Sequence, residues 1–180
     1  MPPTSQSIPQ FPAHLARVLR VLPLAPLSLS LTAYARRVAK THAGLFRRLG
    51  EHDHASFELA PTDMPFVLLL EPRGGDPKVT VTRRAPRADA RIAGPLAALI
   101  GLVHGAYDGD ALFFSRDLVI EGDTAAALAL RNAVDDAELD LSEEIATLSG
   151  PFAAPMRRIV SFAQRRTGVC LSRPEDLAAW

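Results

Sequence analysis

A chain of 180 residues with 48% hydrophobic and 22% charged residues is long enough to bury a core and too apolar to be intrinsically disordered. Its single cysteine, Cys170, excludes an internal disulfide, and this favours the cytoplasm. The net charge of zero hides an asymmetry, because residues 1–50 carry seven bases and no acid, whereas the remainder carries thirteen bases and twenty acids. Such asymmetry indicates an anionic partner, either nucleic acid or an acidic lipid surface, or an internal pairing of the two halves.

The N-terminal quarter is predicted to contain a disordered segment, residues 1–10, followed by two basic amphipathic helices within 11–50. The first helix begins at Pro12, ends at Pro23 and aligns Leu15, Val18, Leu19 and Leu22. The second ends at Gly50 and aligns Leu27, Leu31, Tyr34, Val38, Leu45 and Leu49. Such helices either contact an anionic membrane or dock on the main domain, and the sequence leaves both alternatives open. The basic residues concerned are Arg17, Arg20, Arg36, Arg37, Lys40, Arg47 and Arg48.

The uncharged stretch between Arg20 and Arg36 is the one segment that resembles a targeting signal. It has fifteen residues, too few to span a bilayer, and Pro23 and Pro26 would break a spanning helix. Because it ends in an Ala-x-Ala sequence, a cleaved signal peptide is an alternative, although the long leader and the two prolines fit that reading poorly.

Four strands are predicted after Glu51, over residues 55–59, 65–72, 78–84 and 88–94. The second and third form a hairpin, because Pro72, Gly74, Gly75 and Pro77 supply turn residues between them. In the third strand Val79 and Val81 are expected to face the core. The sequence FVLLL in the second strand is apolar on both faces and is expected to need cover on both.

A helix is predicted next within GPLAALIGLVHG, residues 94–105, with Pro95 at its start and Gly105 at its end. Its apolar stripe consists of Leu96, Leu99, Ile100 and Val103. Because the helix carries no charge, it is expected either to be buried in the core or to line an apolar space.

The last strand is predicted to place Leu118 and Ile120 inward and to follow an irregular entry that contains Phe113 and Phe114. Gly122 then forms a turn, and Asp123 caps a helix that begins at Thr124. The apolar face of this helix is Ala127, Leu130, Val134 and Ala137.

Residues 110–139, DALFFSRDLVIEGDTAAALALRNAVDDAEL, resemble the C-terminal signature of the sterol-carrier-protein-two lipid-binding family. Within that family the segment is most similar to the UbiT-like accessory factors of bacterial ubiquinone biosynthesis. The shared elements are Leu112 to Phe114, the run from Leu118 to Thr124, and the following helix with Asn132 and Asp135. The resemblance is weaker over 22–109, and the sequence departs from the family pattern in the loop RGGDPK and over 140–150.

The resemblance implies an α+β domain over residues 51–139, with a five-stranded sheet covered by helices and an apolar lipid cavity between them. It implies no catalytic residue and no cofactor. The cavity would be lined by Phe66, Leu68, Leu70, Ile92, Leu96, Leu99, Ile100, Val103, Phe113, Phe114, Leu118, Ile120, Leu130 and Val134. The ligand would be an isoprenoid quinone intermediate or a phospholipid, and the receiving partners would be the iron-sulfur proteins UbiU and UbiV of oxygen-independent ubiquinone synthesis.

The C-terminal segment, residues 140–180, is predicted to contain one further amphipathic helix. Its apolar stripe is Phe152, Met156, Ile159, Val160 and Ala163, flanked by Arg157, Arg158, Arg165 and Arg166. This helix either packs on the sheet with solvated arginines or assists membrane attachment. The acidic stretch from Asp135 to Glu144 could instead bind basic partners or the chain's own N-terminus.

An enzymatic function and nucleic-acid binding are both disfavoured by the sequence. In EHDH, Glu51 to His54, two histidines could begin a metal site, but no third ligand has a recognisable spacing, and a turn before a strand is the simpler interpretation. The common nucleophile and nucleotide-binding motifs are absent from the sequence, and the 6% of aromatic residues do not alternate with the arginines. The sequence therefore predicts a non-catalytic lipid-binding protein at the cytoplasmic side of the inner membrane, with a membrane-surface scaffold for biosynthetic enzymes as the alternative.

Overall fold

Five short β-strands form one mixed sheet in the computed structural model, which describes residues 20–21, 23–104 and 118–137. The strands are β1 (Phe57–Pro61), β2 (Val67–Glu71), β3 (Lys78–Thr82), β4 (Ala90–Gly94) and β5 (Val119–Gly122). Their order is β3-β2-β1-β4-β5, with β1 and β4 parallel and all other neighbours antiparallel. The predicted five-stranded sheet is confirmed, and the strand bounds differ from the predicted ones by one or two residues.

Four α-helices and two 3-10 turns accompany the sheet within the described residues. The helices are α1 (Ala25–Thr41), α2 (Ala43–Arg48), α3 (Leu96–His104) and α4 (Thr124–Ala137), and the turns are Gly50–His52 and Arg73–Gly75. The helices predicted within 94–105 and from Thr124 onward are confirmed as α3 and α4. The predicted helices over 12–22 and in the C-terminal segment, and the disordered segment 1–10, lie outside the described residues.

The sheet presents an apolar face, called here the inner face, on which Phe57 and Leu59 of β1 lie. Phe57 is fully buried, and α2, α3, α4 and the end of α1 pack over this face. Val79 and Val81 of β3 are buried as predicted. The register adds Leu68 and Leu70, Ala90 and Ile92, and Ile120 to the same face. The core of the domain therefore lies between one side of the sheet and the helices.

The apolar strand β2 is less covered than its sequence suggests. All five residues of Val67–Glu71 are half-exposed, although Phe66 directly before the strand is buried. The sequence predicted cover on both faces of FVLLL, and the structure gives only partial cover. The reason is its place in the sheet, because β2 lies one strand from the edge and α4 packs over β4 and β5 at the other side.

The side of α3 that is buried differs from the predicted stripe. Ala97, Ala98 and Leu99 are buried, whereas Leu96 and Ile100 are half-exposed. Ala98 and Leu99 belong to the buried cluster that also contains Phe57 of the sheet. Small side chains allow the helix backbone to approach β4 and α4 closely, so the alanines take the buried positions that the larger residues were expected to hold.

The second predicted basic helix is divided at His42 into α1 and α2. His42 has φ −117° and ψ 61°, which ends α1, and its backbone N–H donates to the carbonyl of Val38 at 2.7 Å. The change of direction brings Leu45 and Leu49 into the same buried cluster as Val38. The predicted stop at Gly50 is confirmed, since Gly50 has φ +55°.

α1 lies along β3, the edge strand of the sheet, and binds it through hydroxyl groups. Thr32 Oγ1 donates to the carbonyl of Val79 at 2.9 Å and accepts from the Val79 N–H at 3.0 Å. One helical turn earlier, Ser28 Oγ accepts from the Val81 N–H at 2.9 Å. One turn later, Arg36 Nε lies 2.8 Å from Asp76 Oδ1. The helix therefore satisfies outward backbone groups of an edge strand that would otherwise be free to pair with another chain.

The corner between β5 and α4 confirms the predicted turn and cap. Gly122 has φ +81°, and a Cβ at this position would overlap the carbonyl of Asp89, so glycine is required here. Asp123 Oδ1 accepts from the Ala126 N–H at 3.0 Å, which caps α4. The Asp123 N–H donates to the carbonyl of Asp89 at 2.8 Å. The run from Gly122 to Thr124 thus has a structural role.

Asp89 joins the starts of the two parallel strands. Its Oδ2 accepts from both the backbone N–H and the hydroxyl of Ser56, each at 2.7 Å. These donors hold the pKa of the Asp89 carboxyl below its ordinary value, with the backbone N–H as the larger cause. The pair fixes β1 and β4 in register where each strand begins.

Candidate functional site

The predicted cavity residues meet in one apolar layer between the inner face of the sheet and the helices. Ile92 of β4, Leu99 of α3, Leu118, and Leu130 of α4 belong to one buried cluster. Leu70, Ile120 and Val134 are partly buried and pack against that cluster. The structure thus brings together residues from four separate parts of the sequence, as the periodicity of each segment predicted.

Other predicted cavity residues lie at the margin of this layer or outside the description. Phe66 is buried but does not belong to the cluster, and Leu68, Leu96 and Ile100 are half-exposed. The half-exposed positions are apolar surface from which a chain-like ligand could enter. The Val103 side chain, Phe113 and Phe114 lie outside what the structure describes.

Two pockets occur beside α1 and α2, on the opposite side of these helices from the cluster residue Val38. One has a volume of about 320 Å³ and is lined by Arg36, Lys40, Gly75 and Asp76. The second, of about 270 Å³, is lined by Ala39, Phe46, Arg47, Asp53, Gly74 and Gly75. Neither contains a predicted cavity residue, and both contain basic residues that the sequence assigned to membrane contact.

The predicted membrane-contact residues lie along α1, α2 and the turn before them. Arg20, Arg36, Arg37, Lys40, Arg47 and Arg48 are all exposed, and Arg17 lies outside the described residues. Arg36 forms the ion pair with Asp76, in which both side chains remain largely exposed. The cations therefore stay accessible to solvent while the helices are docked on the domain.

The side of the sheet opposite the inner face carries a charged ladder that the sequence analysis missed. Arg91 of β4 donates to Glu58 of β1 at 3.3 Å and to Glu121 of β5 at 2.5 Å. The hydrogen bond from Arg91 to Glu121 is the main cause that raises the pKa of the Arg91 guanidinium. Glu58 is only 3% exposed. Since one guanidinium occupies both carboxylates, this pair is poorly suited to general acid-base catalysis.

The EHDH segment forms the 3-10 turn and the bend before β1, as its simpler interpretation predicted. His52 Nδ1 lies 3.9 Å from Asp123 Oδ2, and His54 Nε2 lies 3.7 Å from Asp53 Oδ1. Among residues 20–21, 23–104 and 118–137, no three histidine, cysteine or acidic side chains are grouped closely enough to hold a metal ion.

The helices themselves bear on membrane contact. None of the helices within the described ranges combines the length and the apolar composition that crossing a bilayer requires. Any bilayer contact made by these helices would therefore be at its surface.

Comparison with protein families identifies the domain. Residues 33–135, more than half of the chain, match the family model described as the SCP-2 sterol transfer family. The chain belongs to this family. The SCP-2 match begins inside α1 and ends inside α4, so it includes the docked helices, the whole described sheet and the apolar layer. Members of this lipid-transfer family are described by what they carry, and the family description names no catalytic activity.

Solved structures support the same fold. A structure described as a UbiJ-SCP2 ubiquinone synthesis protein is 18% identical, covers 65% of this chain and 96% of its own, and has a TM-score of 0.52. Sterol carrier protein 2 from Yarrowia lipolytica, in its apo form, is 17% identical and covers 62% of this chain and 92% of its own, with a TM-score of 0.45. Another sterol carrier protein 2 is 19% identical, with coverage of 59% and 94% and a TM-score of 0.45. A comparison with curated proteins gives no match.

Proposed function

We propose that this SCP-2 protein is a non-catalytic carrier that binds a hydrophobic quinone precursor or a membrane lipid. The observation that carries the proposal is the family match over residues 33–135, which spans the whole described sheet and its apolar layer. The ubiquinone synthesis protein of similar fold supports ubiquinone biosynthesis as the pathway. The lipid tail would lie against the predicted cavity residues between the inner face, α3 and α4.

The physical reason for a carrier is the cost of exposing an isoprenoid tail to water. Burial of apolar surface stabilises by about 25 cal/mol per Å², so enclosing a few hundred Å² of such a tail contributes several kcal/mol. The tail would reach the layer past the half-exposed Leu96 and Ile100 of α3 and Leu68 of β2. These three side chains are apolar and accessible, which suits a site that must both load and release its ligand.

The partners of the carrier follow from the resemblance of residues 110–139 to UbiT-like factors. We propose that the protein works at the cytoplasmic face of the inner membrane and presents its ligand to enzymes of oxygen-independent ubiquinone synthesis, with UbiU and UbiV as the receiving proteins. The basic residues of α1 and α2 would contact anionic lipids there. A carrier loads from the membrane, so surface contact and a ligand site belong to one function.

The carrier is tested by analysing the lipids that co-purify with the full chain. We expect native mass spectrometry and solvent extraction to detect an isoprenoid quinone intermediate or an acyl lipid in a fixed ratio to protein. Ile100→Glu should reduce that ratio several-fold, because it places a charge at the apolar layer. Leu128→Glu is the matched control, since Leu128 is 48% exposed on α4 and is not a predicted cavity residue. Recovery of lipid-free wild-type protein from lipid-rich cells would contradict the carrier.

One observation favours a second candidate, a membrane-surface scaffold that assembles biosynthetic enzymes without a bound lipid. Ile92, Leu99 and Leu130 pack together in one cluster, and neither pocket at α1 and α2 is lined by them. A filled interior of this kind would serve a scaffold as well as a carrier. The same lipid analysis separates the two, because a scaffold would bind vesicles and partner enzymes while it is purified without lipid.

A further inference from the structure

One side of α1 carries a continuous row of exposed residues that no contact with the domain covers. Leu29, Ala33, Arg36 and Lys40 follow at i, i+4, i+7 and i+11, so they lie on one side of the helix. All four are exposed, and Leu29 is 72% exposed. This row is called the exposed stripe. It is apolar in its first half and cationic in its second half.

The side of α1 that the sequence suggested for membrane insertion is occupied by the protein itself. Val38 belongs to the buried cluster, and Tyr34 packs against it. Thr32 binds the backbone of β3. Insertion of this predicted apolar side would remove Val38 from the core and break the hydrogen bonds to the edge strand. Contact with a partner through the docked helix must therefore use the exposed stripe.

The cationic half of the exposed stripe borders both pockets. Arg36 and Lys40 line the pocket of about 320 Å³, and Arg47 of α2 lines the neighbouring pocket of about 270 Å³. The two pockets share Gly75. Ligand pockets in proteins begin at about 300 Å³, so each is of a size that suits a small polar headgroup better than a lipid tail.

The charges around these pockets favour an anion. Arg36 is paired with Asp76, whereas Lys40 and Arg47 have no ion-pair partner within the described part of the chain. Asp53 lines the second pocket as the other acid, close to His54. Two uncommitted cations therefore stand beside an exposed leucine, which is the pairing that an anionic lipid surface recognises.

We propose that the exposed stripe and the two pockets form the face with which the protein contacts a bilayer of anionic phospholipids while α1 stays docked on β3. Headgroup phosphates bind at Lys40 and Arg47, and Leu29 enters the interfacial layer. The inference rests on the proposed function, because a carrier has to reach the membrane in which its ligand is dissolved. It adds the orientation of the protein at the membrane, with the β3 edge of the sheet facing the bilayer.

Hydrogen exchange tests whether α1 stays docked. The N–H groups of Val79 and Val81 are bound by hydroxyls of α1, so their exchange reports the contact between helix and strand. We expect their protection to be unchanged or increased when vesicles of phosphatidylcholine and phosphatidylglycerol are added. Faster exchange at both groups in the vesicle-bound protein would overturn the proposal, since it would show that α1 leaves the sheet to insert its other side.

Vesicle flotation tests the face itself. We expect the wild-type chain to float with the mixed vesicles, to lose most binding with pure phosphatidylcholine, and to be released by added salt. Lys40→Glu and Arg47→Glu should each weaken binding at least about five-fold, and Leu29→Glu about ten-fold. Leu128→Glu and Arg87→Glu are the matched controls for exposed leucine and for net charge, because Leu128 and Arg87 line neither pocket.

The outcomes separate this inference from the proposed function. Equal losses in the variants and in their controls would show a general charge effect and overturn the assigned face. Binding of soluble glycerol 3-phosphate without binding of vesicles would overturn the bilayer as the partner. A Leu29→Glu protein that retains its co-purifying lipid but no longer floats would support the face. A lipid-free wild-type protein that still floats through Lys40 would contradict the carrier alone.

Discussion

The two ends of the sheet are closed in different ways. At the β5 side, α4 packs apolar residues such as Leu130 against the core, and Gly122 and Asp123 set its direction through one turn and one cap. At the β3 side, α1 binds the edge strand through Ser28 and Thr32, and exposes Leu29 to solvent. The first contact is mainly hydrophobic, and the second is mainly polar. The first therefore stabilises the fold, while the second leaves an exposed helix side available for a partner.

Substitution of Gly122 should have the largest effect on the β5 side. Gly122→Val places a branched side chain where Gly122 has φ +81° and a Cβ would overlap the Asp89 carbonyl. We expect a loss of about 3 kcal/mol or more in the free energy of unfolding, measured by urea denaturation. Gly50→Val is a useful comparison, because Gly50 also has positive φ but has no atom within 4 Å of its Cβ position. An equal loss in both variants would show that backbone strain alone is responsible.

Truncation of Leu130 should come next. Leu130 is 7% exposed in the core cluster, and Leu130→Ala should lower the free energy of unfolding by about 3 kcal/mol. Leu128→Ala on the same helix should cost less than about 1 kcal/mol, because Leu128 is 48% exposed. Thermal unfolding of the two variants measures the difference. A small loss for Leu130→Ala would indicate a loosely filled layer, which favours a lipid-sized space beside it.

The polar contact of α1 should be weaker than the apolar contact of α4. Thr32→Val keeps the shape of the side chain but leaves the Val79 N–H and carbonyl without their hydroxyl partner, at a cost of about 1–2 kcal/mol. Ser30→Ala is the control, because the Ser30 hydroxyl is exposed and donates within α1 to the Pro26 carbonyl. Denaturation and hydrogen exchange at Val79 should both respond to the first variant and not to the second. An unchanged exchange rate at Val79 would contradict the role of Thr32.

Asp89→Asn should have the smallest effect, and that effect should depend on pH. The folded-state pKa of Asp89 lies below its ordinary value, so the charged carboxylate stabilises the fold above the ordinary pKa and loses that effect as the pH falls through the folded-state pKa. The variant should be less stable by about 1 kcal/mol at neutral pH, and the difference should vanish below about pH 3. Denaturation midpoints of both proteins across this range provide the measurement. A difference that grows in acid would have the wrong sign.

The parts of the fold that depend on local chemistry could be predicted from the sequence. Gly122 and Asp123 act within a few residues of themselves, so their turn and cap follow from residue type and order. The alternation of Val79 and Val81 likewise follows from strand geometry. The break at His42 could not be predicted in this way, because no glycine or proline marks it. It is set by Leu45 and Leu49, which reach the core only if the helix changes direction.

The candidate site was harder to predict for the same reason. Apolar periodicity identifies which residues turn inward, but it does not distinguish a residue that packs against protein from one that contacts a ligand. Ile92 and Leu99 pack together, whereas Leu96 and Ile100 are half-exposed, although all four fitted the predicted lining. The binding of Ser28 and Thr32 to β3 depends on which strand forms the edge of the sheet, and strand order is a property of the whole fold.

The parallel pairing of β1 with β4 also affects how the chain is made. During translation β1, β2 and β3 can form an antiparallel meander as soon as residue 82 has left the ribosome. At that stage β1, with Phe57, still has one open edge, and it keeps this edge until β4 has been synthesised and has paired with it. An open apolar edge readily pairs with other chains, and nonlocal pairing of this kind forms slowly. The nascent chain is therefore most dependent on chaperones in the interval between synthesis of β3 and docking of β4.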